Sequence, residues 1–149
     1  VKNNKELLGP NVIDNVERGL KYSMKDITWA HQEQTKIYNN FRKFFENYDV
    51  LICPAASVSP FPHEQLFVEE INNEKLPTYM RWLALSYAPT MAIPCAWALP
   101  CGLDHKNLPF GIQLIAPAGN DAKLSEIALA IEDALSNYEE TKRAIPDIV

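Results

Sequence analysis

Glycine is scarce in this chain, and none of its five glycines neighbours another. No loop of successive backbone N–H groups is therefore offered to a phosphate or an oxyanion. The glycine fingerprint of a dinucleotide site is missing as well. Cysteine is sparse and odd in number, with Cys53, Cys95 and Cys101 alone. A disulfide framework needs a denser, even set, so these read as reduced thiols of a cytosolic protein. No apolar run reaches transmembrane length and no charged-then-apolar leader opens the chain, which argues against a membrane partner. Positive charge is also short: 14 Lys and Arg stand against 19 Asp and Glu, for a formal net charge of −5. The longest basic cluster is Lys142-Arg143, so there is no basic stripe for nucleic acid or an anionic lipid surface. The first residue is Val1, not Met, which suits processing or excision from something longer.

What is present is an ordinary globular composition, 47% hydrophobic and 22% charged, over a length of 149 residues. It suits one packed domain across 1–149 with no internal boundary. Gly9-Pro10 opens a helix in which Val12, Val16 and Leu20 recur every four residues, with Gly19 near its end. Ser23 and Asp26 form a capping-box pair, with Tyr22 and Ile27 placed to staple across it. The helix they start runs to about Asn47 and carries Ile27, Ala30, Ile37, Phe41, Phe44, Phe45 and Tyr48 on one stripe. Both helices read as cover for a sheet. Val50–Cys53, stopped by Pro54, reads as a strand buried on both faces. A proline-rich excursion from Ala55 to Pro77 follows, with one helical turn near Gln65–Glu70.

Thr78 is placed to cap a helix that Pro89 ends. Met91–Ile93 and Ala96–Leu99 read as strand segments interrupted by Pro94. After a turn over Pro100–Asn107, Phe110–Ile115 is the clearest strand, expected to pair antiparallel with the one before it. Asn120 or Asp121 then caps a helix with Leu124, Ile127, Ala128, Ile131 and Leu135 inward. The order of elements is that of an α/β fold with a mixed sheet. Three or so strands are few for these helices, so the sheet is expected to continue in sequence outside the chain.

Residue patterns that carry chemistry are few. None of the six serines lies in Gly-x-Ser-x-Gly, and none is followed by Lys three residues later. Cys101 and His105 have the spacing of half a zinc site, but even with Cys95 the set is one ligand short of a structural site. A Cys–His nucleophile drawn from the three cysteines and His31, His63 or His105 is a spatial matter, open at this point. Cys53 closes an apolar run, where a buried inert thiol is the common state. The Phe41–Tyr48 rings would line an apolar groove, but at helical spacing core packing is the ordinary role. Tyr79 and Trp82 share a helical face and read as core in the same way.

Three ordered pieces carry a resemblance: Asp49-Val50-Leu51-Ile52-Cys53-Pro54, then Pro89-Thr90-Met91-Ala92-Ile93-Pro94, then Leu108-Pro109-Phe110-Gly111-Ile112-Gln113-Leu114-Ile115 before a capped helix. From about Leu8 to Asn137 the chain resembles the C-terminal third of amidase-signature enzymes. Tyr79-Met80-Arg81-Trp82 is closer to the stand-alone amidase branch than to the amidase subunit of tRNA-dependent amidotransferases. Ala88 stands where many members have Gly.

The resemblance implies part of an α/β/α amidase-signature fold with a mixed sheet, incomplete in this chain. It implies hydrolysis of a carboxylic amide to acid and ammonia or amine by a Ser-cisSer-Lys acyl transfer. The family's catalytic Lys and two serines lie in a Gly/Ser-rich N-terminal region that nothing here matches. No catalytic residue, cofactor or metal is thus assigned to this chain, which alone is expected to be inactive. Ala55–His63 follows the first strand where open α/β sheets collect ligands. The Pro100–Asn107 turn resembles a loop that faces substrate, with Asp104 and His105 as the candidate substrate-binding residues; a plain solvated turn is the competing reading. Expected partners are a small-molecule amide in the full enzyme, the missing N-terminal part, and a second copy of the chain. A self-standing, non-catalytic binding or accessory module is the alternative, and a Cys- or metal-dependent hydrolase a third.

Overall fold

The computed structural model describes residues 4–92 and 94–145. A single 3-10 turn, Lys5–Leu7, precedes α1 (Pro10–Gly19) and α2 (Met24–Phe44). Strand β1 (Leu51–Pro54) leads to a small hairpin, β2 (Glu70–Ile71) and β3 (Glu74–Lys75). A 3-10 turn at Arg81–Leu83 runs into α3 (Ala84–Thr90), followed by β4 (Cys95–Leu103), β5 (Pro109–Ala116) and α4 (Asp121–Ser136). The chain divides within α2, after Ile37, into two compact units.

In the first unit, α1 begins as expected, with Gly9 extended at the N-cap and Pro10 at the first helical position. The Ser23–Asp26 capping box also forms. Ser23 N donates to Asp26 Oδ2 at 2.8 Å, and Asp26 N donates back to Ser23 Oγ at 3.4 Å. The Ser23 hydroxyl and then its backbone N–H hold the Asp26 carboxyl below its ordinary value. Neither α1 nor α2 buries any residue.

In the second unit, the sheet is β1–β5–β4, with β5 central and both pairings antiparallel. Leu114, Ile115 and Ala116 are buried at successive positions. Successive strand residues face opposite sides, so both faces of the end of β5 are covered. The helical cover is α4, whose Leu124 and Ala128 close on Leu99, Leu114 and Ala116. Truncating Leu124 there should cost about 2–5 kcal/mol, as for any fully packed leucine.

Four sequence expectations change. β1 is not buried on both faces: Leu51 and Cys53 are half-buried, while Ile52 and Pro54 are exposed. It is an edge strand, and a continuous apolar run does not tell an edge from a centre. No helical turn forms near Gln65–Glu70: residues 65–69 are irregular and lead into the β2–β3 hairpin, turned by Asn72 and Asn73 at φ of 54° and 65°. Two positive φ angles make the two-residue turn that matches strand twist, and Asn tolerates them. Met91 and Ala92 form a turn and not a strand, and Ile93 lies outside the described residues. Finally, β4 runs through Pro100 as far as Leu103. Pro100 is tolerated because β4 is an edge, and the register slips by one residue between Pro100 and Leu103.

That slip rests on Gly102, at φ 68°. A Cβ there would lie 2.0 Å from the Glu140 carbonyl oxygen, so the segment after α4 closes directly onto this backbone. Gly119 has φ 82°, and a Cβ there would meet nothing within 4 Å. The pair separates torsional strain from collision. Gly119→Ala should cost about 1–2 kcal/mol, the left-handed penalty alone. Gly102→Ala should cost more than about 3 kcal/mol. Urea unfolding of the two variants checks the order, and equal midpoints would contradict it.

Candidate functional site

The ladder between β1 and β5 continues one step past β1, where Ala55 N donates to Gly111 O at 2.9 Å. Gly111 carries no side chain at this point, and a Cβ would stand 3.3 Å from Leu99 O and 3.6 Å from Ala55 Cβ. Its bareness lets the chain leaving β1 pass close beside β5. Beyond this carboxyl end lies a cleft of about 220 Å³. Val58, Ser59 and Phe61 from the segment after β1, Trp82, and Phe110 from β5 form its walls. The Phe61 and Trp82 rings meet edge to face, with centroids 5.6 Å apart and planes at 81°. The Ser59 hydroxyl and the Trp82 indole N–H are the side-chain polar groups of the lining, which contains no residue that carries a charge.

Gln113 holds the two walls. Its Nε2 donates to Pro54 O at 3.1 Å, the last carbonyl of β1, and to Leu85 O at 2.9 Å, in the first turn of α3. The second bond explains why Pro89 sits inside α3 and does not end it. Proline has no N–H, so the carbonyl four residues earlier loses its helical donor. That carbonyl is Leu85 O, and Gln113 supplies the missing donor. The sequence shows Gln113 only as part of the Leu108–Ile115 piece and not as a site residue. The available signal is an amide within the apolar run Phe110–Ile115, since a polar group taken partly out of water needs partners.

The two candidate residues of the Pro100–Asn107 region part company. Asp104 Oδ1 accepts from Lys106 N at 2.8 Å and from Leu108 N at 3.0 Å, and so shapes the β4–β5 turn. Asp104 N in turn donates to Leu108 O at 2.8 Å. The Leu108 amide first, then the Lys106 amide, the Ser59 hydroxyl and the His105 charge hold the carboxyl below its usual range, against an opposing burial effect. Asp104 Oδ2 is buried without a well-formed hydrogen bond, so Ser59 approaches the carboxylate without completing a bond of good geometry to that oxygen. Asp104 thus meets the cleft through Ser59 and does not itself line it. His105 is exposed in the turn.

Other sequence candidates have plainer surroundings. Phe41, Phe44, Phe45 and Tyr48 pack on one another, the tightest pair being Phe44 and Tyr48 at 4.6 Å. Phe41 and Phe45 also line a cleft together with Arg42 and Glu46. The Tyr79 ring packs on Phe67, with centroids 6.1 Å apart. Burial pushes the Cys53 thiol up, opposed in part by the Gln113 side chain, which disfavours the thiolate a nucleophile needs. Cys95 Sγ donates to Pro117 O at 3.2 Å. Among the described residues no three His, Cys, Asp or Glu side chains gather to hold a metal ion. No described helix is long and apolar enough to cross a membrane.

Because the Asp104 carboxylate is held in its charged form, its contribution to the turn is fully present above the unfolded pKa and is lost as pH falls through the lower, folded one. The Lys106 and Leu108 amide resonances should therefore move together with a midpoint below that of an ordinary aspartate. Asp104→Asn, which keeps an oxygen acceptor, should abolish the titration and keep the turn. Amide shifts that titrate at the ordinary carboxylate midpoint would refute the assignment.

Known proteins sort the chain in the same direction. The model of the Amidase family matches residues 2–124. A glutamyl-tRNA(Gln) amidotransferase subunit from Streptomyces avermitilis is 34% identical over 106 residues, covering 70% of this chain and 20% of that protein. Its namesake in Alkaliphilus metalliredigens is 31% identical over 105 residues, with the same coverage. The chain thus spans about a fifth of the length of these curated relatives. A bacterial aryl acylamidase of the amidase signature enzymes superposes with a TM-score of 0.77 at 19% identity, covering 89% of this chain and 28% of that one. A 6-aminohexanoate cyclic dimer hydrolase gives 0.74 at 18% identity, over 89% and 29%. The corresponding glutamyl-tRNA(Gln) amidotransferase subunit from Thermotoga maritima gives 0.54 at 23% identity, over 95% and 30%. These likenesses share the mixed α/β architecture seen here, and with the family model covering most of its length the chain belongs to the amidase signature family.

Proposed function

We propose that the chain is the C-terminal part of an enzyme that hydrolyses a carboxylic amide to acid and ammonia or amine. In this reading it supplies sheet strands, the α4 cover and one wall of the substrate site. The nucleophilic serine, the bridging cis-serine and the lysine come from sequence outside the chain. The observation that carries the reading is the cleft at the carboxyl end of β1, where open α/β sheets take ligands. The absence of any Gly/Ser-rich segment with a lysine from the sequence supports placing the chemistry elsewhere. So does the match to only a fifth of each curated relative.

Within that enzyme, Asp104 and His105 act on the choice of amide and not on its cleavage. Asp104 does so by fixing the β4–β5 turn and the neighbourhood of Ser59. The Tyr79-Met80-Arg81-Trp82 segment is what favours the stand-alone branch, while the curated sequence relatives are tRNA-linked subunits. Reduced cysteines fit a cytoplasmic setting. Leu20, Met24 and Trp29 are exposed, and β1 and β4 each have an unpaired edge within the described sheet. Such surfaces favour docking onto the enzyme's remaining sequence, or self-association when the chain is alone.

Assayed alone against a panel of aliphatic and aromatic amides, the chain should show no turnover. Light scattering on the same preparation should give a mass above the 16.9 kDa of one copy. Turnover that survives repurification and is lost on Cys53→Ala would overturn the reading in favour of a thiol hydrolase. A monomer at all concentrations would favour a self-standing module.

A further inference from the structure

We infer that the cleft of Phe61, Trp82 and Phe110 receives an uncharged, ring-sized apolar group of the amide and discriminates against amides that carry a charge next to it. The inference names the substrate class of the site proposed above and rests on that reading for its catalytic meaning.

Three observations carry it. The first is composition: the lining is aromatic and aliphatic, and its polar side-chain groups, the Ser59 hydroxyl and the Trp82 indole N–H, are neutral. A charge brought among the rings leaves water for a lining that supplies no charged partner of its own, with Asp104 standing behind Ser59 and not in the lining, and an unpaired charge in apolar surroundings is strongly disfavoured. The second is size and shape. The volume of about 220 Å³ lies below the range of sites for drug-sized ligands and suits a single ring or a short branched chain. The edge-to-face Phe61–Trp82 pair leaves ring surface free for a third ring, in the arrangement that aromatic groups prefer. The third is contrast. The cleft beside Phe41 and Phe45 includes Arg42 and Glu46, and the one beside Gly102 includes Glu139, Glu140, Lys142 and Arg143. Of these three clefts, the one at the carboxyl end of β1 alone is without charge.

Gln113 makes this a built site and not a chance hollow. By bonding both Pro54 and Leu85, it fixes the start of the segment that bears Phe61 and the helix that follows Trp82. The two rings are thereby held at one spacing before any ligand arrives, which lowers the ordering cost of binding.

The test is titration of the isotope-labelled chain with benzamide, cyclohexanecarboxamide and L-glutamine. Both neutral amides should shift the Ala55–Phe61 amides, Gly111 and the Trp82 indole N–H saturably. Glutamine should bind the same residues at least about tenfold more weakly, a difference of about 1.4 kcal/mol. Phe61→Leu and Trp82→Leu should each weaken benzamide several-fold while the β4–β5 amide shifts stay in place, which separates loss of the site from loss of the fold. Equal binding of glutamine, or benzamide shifts confined to Phe41 and Phe45, would overturn the inference. A complete amidase containing this segment supplies the second arm. Amide hydrolysis with a preference for glutamine would sink the inference and leave the amidase reading standing. Saturable benzamide binding without hydrolysis of any amide would support the cleft and sink the amidase reading.

Discussion

The side-chain amide of Gln113 is the constraint on which the functional end of this sheet depends. Its nitrogen has two hydrogens, and both are donated to main-chain carbonyls on different elements, Pro54 at the end of β1 and Leu85 in α3. The Leu85 carbonyl is in need of a donor because Pro89, four residues on, has no N–H. A helix containing an internal proline and a strand that ends at the sheet edge are thus completed by one group on the central strand. An alternative residue of similar volume without the amide would leave two carbonyls short, at about 1–3 kcal/mol for each that stays buried.

The surrounding geometry follows from edges and bulges. β5 is paired on both sides from Ile112 to Ile115, so the position of its central part is settled by two ladders. β1 and β4 are edges, which is why both tolerate proline. The one-residue slip at Gly102 ends β4 in the Asp104 turn, and Asp104 returns the chain to β5 through two amide bonds. The same carboxylate faces Ser59, so the turn and the segment after β1 meet at the border of the cleft. None of these features performs chemistry. Together they place three aromatic rings around an uncharged hollow at the carboxyl end of a strand.

Much of the fold is legible where the signal is local. Gly9-Pro10 and Ser23–Asp26 mark helix starts because capping is settled within four residues. The antiparallel pairing of β4 with β5 follows from the short connection between them. The amidase resemblance is legible from three ordered sequence pieces, and its coarse form stands. The hairpin at Asn72-Asn73 escapes a sequence reading although two adjacent asparagines are a turn signal, because the strands beside it are two residues each and carry no periodicity. The edge position of β1 escapes it too, because burial on one face or two depends on a strand's neighbours and not on its own residues. Pro89 reads as a stop because the partner that rescues its helix lies 28 residues from Leu85. The cleft is illegible for the same reason: Phe61, Trp82 and Phe110 are far apart in sequence, and Trp82 looks like any helical core residue until Phe61 is beside it.

The central claim is that Gln113 creates the cleft by holding its two walls. The most direct measurement is the proton–proton contact between the Phe61 ring and the Trp82 indole in solution, in the native chain and in Gln113→Leu. Cross-strand contacts between Ala96 and Ile115 report on the rest of the sheet. The account predicts that the Phe61–Trp82 contact is strong in the native chain and lost in the variant, while Ala96–Ile115 persists in both. A Phe61–Trp82 contact unchanged in Gln113→Leu would contradict it.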